Sequence, residues 1–211
     1  MASAHTPTAR EDRRRRADSE RSEARILDAA VDALAAEPEA SMAEIARRAG
    51  VVRATVYVHF PTRDALIAAV TERAMSEVVD VIVAAEPERG DPAEALRRVV
   101  AEAWRTLGRY HALVAINTQL PDAELHQRHG AVLAALESLI KRGQRTGAFR
   151  RGVPVAWHLS MLVALIHAAS AELRAGRVPA EQVESALVAT VLGALGSRAT
   201  PAGSPSYLPR K

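Results

Sequence analysis

Residues 45–66 read IARRAGVVRATVYVHFPTRDAL, and this stretch decides how the first part of the chain folds. Two short amphipathic segments flank Gly50, and the second of them stops at Pro61. Small residues at a tight turn allow two helices to cross steeply, which is the helix-turn-helix arrangement. The stretch has four arginines, one acidic residue and two aromatic residues, in a chain that is only 3% aromatic. It therefore predicts a helix-turn-helix unit whose second helix is basic and aromatic.

Helical periodicity continues on both sides of this unit. Residues 21–36 predict a first helix, and Ser41 with Glu44 three residues later predicts a capping box at the start of the second. Thr62 is expected to cap a long fourth helix that ends near residue 85. A segment rich in proline and glycine breaks the pattern before about five more helices. With no strand signal in the sequence, the predicted fold class is all-α.

The composition limits the classes of function. The absence of cysteine from the sequence excludes disulfides and thiolate metal sites. No unbroken apolar run approaches the roughly 18 residues of a membrane span, and the polar N-terminus has no secretory signal, so we expect a cytoplasmic protein without a membrane partner. Motifs for phosphate loops and nucleophile elbows are lacking, which predicts a protein that is not an enzyme and uses no cofactor. The alternative is a helical enzyme or a small-molecule-binding protein without DNA binding.

The helix-turn-helix stretch resembles the DNA-binding signature of the TetR family of transcriptional regulators. The resemblance covers about 45 residues, 21–66, and beyond them it extends only to the all-helical layout and length. The matched positions are Ile45, Ala46, Ala49, Gly50, Val51, Arg53, Thr55, Val56, Tyr57, His59, Phe60 and Leu66. It implies an N-terminal three-helix DNA-binding domain followed by a helical ligand-binding and dimerisation domain.

The resemblance also implies a role for individual residues at the DNA. The third helix, residues 53–60, would be the recognition helix in the major groove, where arginine reads guanine edges. The predicted DNA-binding residues are Arg53, Ala54, Thr55, Tyr57, His59, Thr62 and Arg63. His59 has a second interpretation, because a cation at the C-terminus of a helix is favourable. Val52 departs from the family pattern, which commonly has Ser or Thr there as a helix cap.

Two apolar helices near the C-terminus predict the dimer contact. Their stripes of large and small residues allow a four-helix bundle with the same helices of a second chain, although the same stripes fit a monomer core. The predicted interface residues are Leu159, Leu162, Val163, Ile166, Leu187, Val191, Leu192 and Leu195. A dimer is preferred because one short recognition helix supplies few specific contacts.

The middle helices are expected to enclose a pocket for a small, largely apolar molecule. The predicted lining is Trp104, Leu107, Tyr110, Asn117, Trp157, Met161 and His167, and an ordinary core position is the alternative for each. Asp122, His126 and His129 share a helix face at metal-ligand spacing, but no fourth ligand accompanies them, so no metal site is predicted.

These observations predict a dimeric DNA-binding regulator, a repressor that a ligand releases from a palindromic operator. The fourth helix would transmit the ligand's effect to the recognition helices. The expected domains are a disordered arm (1–19), the helix-turn-helix domain (20–66), the connecting helix and linker (67–90), the ligand-binding and dimerisation domain (91–197) and a disordered tail (198–211). Four arginines at residues 13–16 either follow the DNA or are solvated surface.

Overall fold

The computed structural model describes residues 9–117 and 122–196. Its helices are α1 (Ala9–Ala36), α2 (Met42–Ala49), α3 (Arg53–His59), α4 (Arg63–Ala84), α5 (Pro92–Leu107), α6 (His111–Asn117), α7 (Asp122–Thr146), α8 (Val155–Arg174) and α9 (Ala180–Leu195). A single turn of 3-10 helix, Gly108–Tyr110, joins α5 to α6. Within the described residues the only extended pairing is one antiparallel bridge between Phe149 and Gly196. The predicted all-α class is therefore confirmed.

Helix α1 begins at Ala9 rather than near residue 21, so the described part of the predicted disordered arm is helical. Alanine, arginine and glutamate favour helix, and they make up most of this segment. Arg21 donates to the carbonyl of Ala17 and pairs with Asp18 at 2.9 Å, one helical turn away. Such i, i+3 and i, i+4 contacts stabilise a solvated helix that has no apolar face. The prediction missed the segment because it relied on an apolar period.

The described residues form two compact units. The first contains residues 9–78, 106–117 and 122–129, and the second contains residues 79–105 and 130–196. The core of the first unit consists mainly of buried aliphatic side chains from α1, α2, α3 and α4, with Tyr110 and Leu113. Helix α4 runs without a break from the first unit into the second.

In the second unit, α8 packs against α9, and a turn after α7 is tied to the end of α9. The amide of Arg150 donates to the carbonyl of Leu195 at 3.0 Å, beside the Phe149–Gly196 bridge. The Phe149 ring is buried and lies directly over Gly143 of α7, where a Cβ atom would come within 2.0 Å of the ring. Gly143 is therefore the residue that lets this turn fold back onto its own helix.

Helix α8 is unusually apolar for a helix that is largely uncovered. Among the described helices it alone has the length and the composition of a membrane span, although a helix of a water-soluble protein can pass the same test. Trp157, near its start, is 66% exposed. The chain itself leaves one apolar side of α8 uncovered, and exposed apolar surface of this kind is typical of a contact with another molecule.

Candidate nucleic-acid interface

Helix α2 begins and ends as the sequence predicts. The Ser41 hydroxyl accepts the amide of Glu44 at 3.2 Å, which satisfies one of the free N–H groups of the first turn. At the other end Gly50 has φ = 65°, and its amide donates to the carbonyls of Ala46 and Arg47. Glycine adopts this left-handed conformation without the steric cost that other residues meet. These local signals confirm the helix-turn-helix geometry.

Arg25 of α1 holds the turn between the two helices, and sequence reasoning did not identify it. Its guanidinium donates to the carbonyls of Ala49 at 2.6 Å and Gly50 at 3.2 Å. These carbonyls belong to the end of α2, where the helix leaves acceptors unsatisfied. The contact joins residues 24 positions apart. The sequence has only one weak signal for it, an arginine that precedes an Ala-Gly turn at that distance.

Helix α3 is anchored on one side and open on the other. Val56 is fully buried and Phe60, which follows the helix, is 5% exposed. The opposite side consists of Arg53, Ala54, Tyr57 and Val58, which are all exposed. We call these four residues the α3 outer face. Helix α3 is therefore buried on one side, while Arg53 and Tyr57 on its other side are exposed to solvent.

Two residues of the α3 outer face contact each other. Arg53 donates to the Tyr57 hydroxyl at 3.1 Å, and its guanidinium carbon lies 5.3 Å from the centre of the tyrosine ring. This i, i+4 pair combines a hydrogen bond with a cation–π contact. It holds both side chains along the helix before any partner arrives, and the remaining guanidinium N–H groups are available to acceptors outside the protein.

The basic residues of α2 contribute less charge than their number indicates. The Glu44 carboxylate accepts hydrogen bonds from Arg47 at 2.7 and 2.8 Å and from Arg48 at 2.8 Å. The hydrogen bonds from Arg47, and then those from Arg48, lower the pKa of Glu44 to about 2. Glu44 is therefore ionised at neutral pH and offsets part of this charge, which leaves Arg53 as the cation of the α3 outer face.

The N-terminus of α3 lacks a side-chain cap. Val52 occupies the cap position with extended backbone angles, makes no side-chain hydrogen bond there and is 70% exposed. Its carbonyl still accepts the amide of Thr55 at 2.9 Å. Val52 therefore lacks the cap that Ser or Thr would supply in the family pattern, because the valine side chain has no hydrogen-bond acceptor.

The remaining predicted DNA-binding residues lie at the two ends of this region. The His59 side chain is only 11% exposed, and its Nδ1 lies 3.8 Å from a carboxylate oxygen of Glu23 on α1. Thr62 caps α4, its hydroxyl accepting the amide of Ala65 at 3.0 Å. Arg63 donates to the carbonyl of Pro38 within the protein. Contacts of His59, Thr62 and Arg63 with DNA stay predictions.

The predicted ligand-binding residues divide between the two units. Leu107 and Tyr110 are buried in the first unit, and burial raises the pKa of Tyr110 to about 12. Trp104 is buried in the second unit, where Met161 and His167 are partly exposed. Trp157 is mostly exposed, whereas a residue that lines a pocket within its own chain would be largely buried. The Asn117 side chain lies outside the described residues, so its role stays a prediction with the others.

The predicted dimer residues fall into two groups. Leu159, Leu162, Leu187, Val191 and Leu195 are buried within the chain itself. Val163, Ile166 and Leu192 are partly exposed. The first group therefore packs α8 and α9 of one chain against their surroundings, which is the monomer-core alternative of the sequence analysis. The second group remains accessible to another chain.

No group of three or more potential metal ligands occurs among the residues that the structure describes. Of the three residues considered for metal binding, His129 is buried, whereas the side chains of Asp122 and His126 lie outside the described part.

Comparison with known proteins identifies the family. The family model described as bacterial regulatory proteins, tetR family, matches residues 26–70. The transcriptional regulator NfxB of Pseudomonas aeruginosa is 30% identical over 158 residues, which cover 72% of this chain and 83% of that protein. The transcriptional repressor LfrR of Mycolicibacterium smegmatis is 31% identical over 173 residues, covering 82% and 89%.

A solved structure agrees with these relatives. The crystal structure of the TetR-like regulator LfrR in complex with proflavine superimposes with a TM-score of 0.67 at 28% identity, and the match covers 85% of this chain and 98% of that one. Relatives of this similarity and coverage confirm the resemblance that the helix-turn-helix residues carry. The chain belongs to the TetR family of bacterial regulatory proteins, and it is a DNA-binding transcriptional regulator rather than an enzyme.

Proposed function

We propose that this regulator is a dimeric repressor that leaves a palindromic operator when a small, largely apolar molecule binds its C-terminal domain. The observation that carries the proposal is the α3 outer face, which is exposed while Val56 and Phe60 anchor the helix from behind. The protein would act in the bacterial cytoplasm, where its operator lies.

The α3 outer face fits the major groove of a DNA duplex. Arg53 would donate its guanidinium fork to a guanine edge, and Val58 would contact a thymine methyl group. Tyr57 and the partly exposed Thr55 would hold phosphates, which fix the register without reading the sequence. Thr62 marks the start of α4, whose free amides favour an anion such as a DNA phosphate.

A second chain would bind on the open side of α8 and α9. Val163 and Ile166 of α8 and Leu192 of α9 are partly exposed, and small residues between them leave room for a close approach. The exposed small residues are Ala164, Ala168, Ala186, Ala189 and Gly193. Two chains that pack these helices together form a four-helix bundle, which also explains why α8 is so apolar. A dyad dimer places two recognition helices about 34–36 Å apart, one turn of DNA.

The dimer surface is tested by substitutions on the two sides of α8. Ala168→Glu places a charge on the exposed side and should produce folded monomers, because burying an unpaired carboxylate in an interface is unfavourable. Leu162→Glu places the same charge in the chain's own core, where Leu162 is 2% exposed, and should instead unfold or precipitate the protein. Sedimentation velocity with circular dichroism measures both. A folded Ala168→Glu dimer would exclude this surface.

The similarity to LfrR supports the proposal that the C-terminal domain binds a small molecule. LfrR was crystallised with proflavine, which is a planar aromatic molecule, and that binding is a property of LfrR. For this chain we propose a small, largely apolar ligand, with Trp104, Met161 and His167 among its contacts. Trp104 is buried and the other two are partly exposed, and pockets for small molecules are lined mainly by apolar and aromatic side chains with a few polar groups.

Helix α4 is the proposed route from the ligand to the DNA, since it is continuous from Arg63 to Ala84. Arg73 of α4 lies 2.9 Å from Asp28 of α1 and 3.2 Å from Glu77. Arg109 also approaches Asp28, at 3.8 Å. The Arg73–Asp28 ion pair ties α4 to α1, so a shift of α4 would carry the helix-turn-helix with it. A coupling free energy of roughly 1–3 kcal/mol is enough for a useful switch.

The proposal is tested by selecting bound sequences from random duplex DNA and measuring affinity by fluorescence anisotropy. We expect an inverted repeat, bound by two chains, whose affinity falls steeply with salt because phosphate contacts release counterions. Proflavine serves as a first ligand probe and is titrated against the protein without DNA, because acridines also intercalate into a duplex. If the selection enriches no duplex sequence at low salt, the DNA-binding role is refuted. If it enriches an operator without dyad symmetry, only the dimeric arrangement is refuted.

A further inference from the structure

The second unit contains a basic region that the DNA-binding role does not use. From residue 138 to residue 171 the sequence has no aspartate or glutamate, while five basic residues fall between positions 141 and 151. They lie at the end of α7 and in the turn that follows it. An uninterrupted run of one sign of charge attracts anions to this part of the surface.

Three of these basic residues line a single groove. The groove has a volume of about 480 Å³, and its lining residues are Lys141, Gln144, Arg145 and Arg151. The two arginines are exposed, and the Lys141 side chain is 52% exposed. The described lining residues therefore offer three cations and an amide, with no aromatic or aliphatic side chain among them. Such a set of side chains favours negatively charged groups.

The groove is built by packing and hydrogen bonds of the turn. Phe149 is buried over Gly143, which sets the path of the two residues after it. The Gln144 side-chain amide donates to the carbonyls of Arg150 at 2.9 Å and Val153 at 2.7 Å. Arg151 then donates to the carbonyls of Gln144 at 2.9 Å and Arg145 at 3.0 Å. The Arg151 guanidinium is thus held in position before a ligand binds.

A purely structural role explains some of the basic residues but not all of them. Arg142 donates to the carbonyls of Pro87 and Gly90, and Arg150 donates to that of Gly196. Arg151 caps the end of α7, where a cation is favourable. Arg145, by contrast, contacts no carboxylate among the described residues, and Lys141 has one carboxylate partner, Glu137 at 2.8 Å. The groove keeps a net positive charge after these contacts.

We propose that this groove binds a chain of linked phosphates, such as a diphosphate or triphosphate group. Guanidinium and ammonium groups donate several hydrogen bonds each, and the arginine fork matches phosphate oxygens. A single phosphate carries roughly two negative charges, so three cations that line one groove fit a multivalent phosphate better than one phosphate group. The described lining residues have no ring on which a nucleobase could stack, so the recognition is of the phosphates themselves.

Isothermal titration with sodium tripolyphosphate tests the site on the full chain. We expect saturable binding of one anion per chain, weakened at least tenfold by the double substitution Lys141→Gln and Arg145→Gln. Neither residue is needed for the turn, whose hydrogen bonds use the side chains of Gln144 and Arg151. Arg97→Gln is the matched control, since it removes an exposed cation of α5 in the same unit.

ATP and ADP titrated beside tripolyphosphate distinguish the source of the phosphates. Equal affinity at equal phosphate number supports recognition of free polyphosphate, and tighter binding of the nucleotides supports a nucleotide. Unsaturable heats, an unchanged affinity in the double variant, or displacement by a single-stranded RNA that binds more tightly would each overturn the proposal. Operator binding by the double variant should equal that of the native protein, so failure here leaves the regulator role intact.

Discussion

Replacing Arg53 with alanine should weaken operator binding strongly and barely change folding. Within the described residues, the contacts of the Arg53 side chain are the hydrogen bond and the cation–π contact with Tyr57, both at the surface. An exposed cation–π pair contributes about 0.5–1 kcal/mol, so the free energy of unfolding should fall by no more than that. Alanine also favours helix slightly more than arginine does, which offsets part of this loss.

The loss of DNA affinity should be several times larger than the loss of stability. A bidentate contact between arginine and guanine is worth about 1–3 kcal/mol. A symmetric dimer loses it twice, so binding should weaken by about 2–6 kcal/mol, or roughly thirtyfold to twenty-thousandfold at 1.4 kcal/mol per tenfold change. Fluorescence anisotropy on the selected operator measures this change, and urea unfolding measures the change in stability.

Two further variants separate base reading from charge. Arg53→Lys keeps the charge but loses the planar fork, so it should recover nonspecific affinity and not the preference for guanine. Arg97→Ala removes an exposed arginine of α5 whose carboxylate partner Glu94 lies 3.3 Å away, and it should leave operator affinity unchanged. If Arg53→Ala binds the operator as the native protein does, the α3 outer face is not the surface that reads DNA.

Two other substitutions test local packing and capping. Gly143→Ala would place a Cβ 2.0 Å from the Phe149 ring, so it should lower the free energy of unfolding by about 1–3 kcal/mol. Gly130→Ala is the control in the same helix, because a Cβ there meets nothing within 4 Å, and it should be neutral or stabilising. Urea unfolding measures both changes. Val52→Thr supplies the missing acceptor at the start of α3, where the backbone is already extended, and should stabilise the protein by about 0.5–1 kcal/mol. An unchanged unfolding midpoint for Val52→Thr would show that the first turn of α3 needs no cap.

Much of the helix-turn-helix could be predicted because its signals are local. Ser41 and Thr62 accept amides three residues ahead, and Gly50 turns the chain through its own backbone conformation. Each of these signals acts within about one helical turn, so a short stretch of sequence contains both the cause and its effect. The start of α1 was missed for a related reason, because residues 9–20 are mostly charged or polar and have no apolar period.

Burial of individual apolar residues could not be predicted in the same way. Leu162 and Val163 are neighbours of similar character, yet Leu162 is buried in its own chain and Val163 is partly exposed. Which of them faces inward depends on where α9 lies against α8, and a helical stripe shows only that some partner is needed. The eight residues predicted for the dimer therefore include five that the chain buries by itself.

The amino-acid order alone was enough to predict an all-α fold with a short arginine–tyrosine helix after a turn glycine, since periodicity, caps and a turn glycine each act over a few neighbouring residues. The role as a regulator was predicted from the resemblance of that stretch to the TetR family. Folding in three dimensions settled the partners of the other arginines. Arg25 holds the carbonyls after α2, Arg63 that of Pro38 and Arg142 those of Pro87 and Gly90. A guanidinium reaches whatever acceptor the packing brings near, and packing joins segments that are distant along the chain.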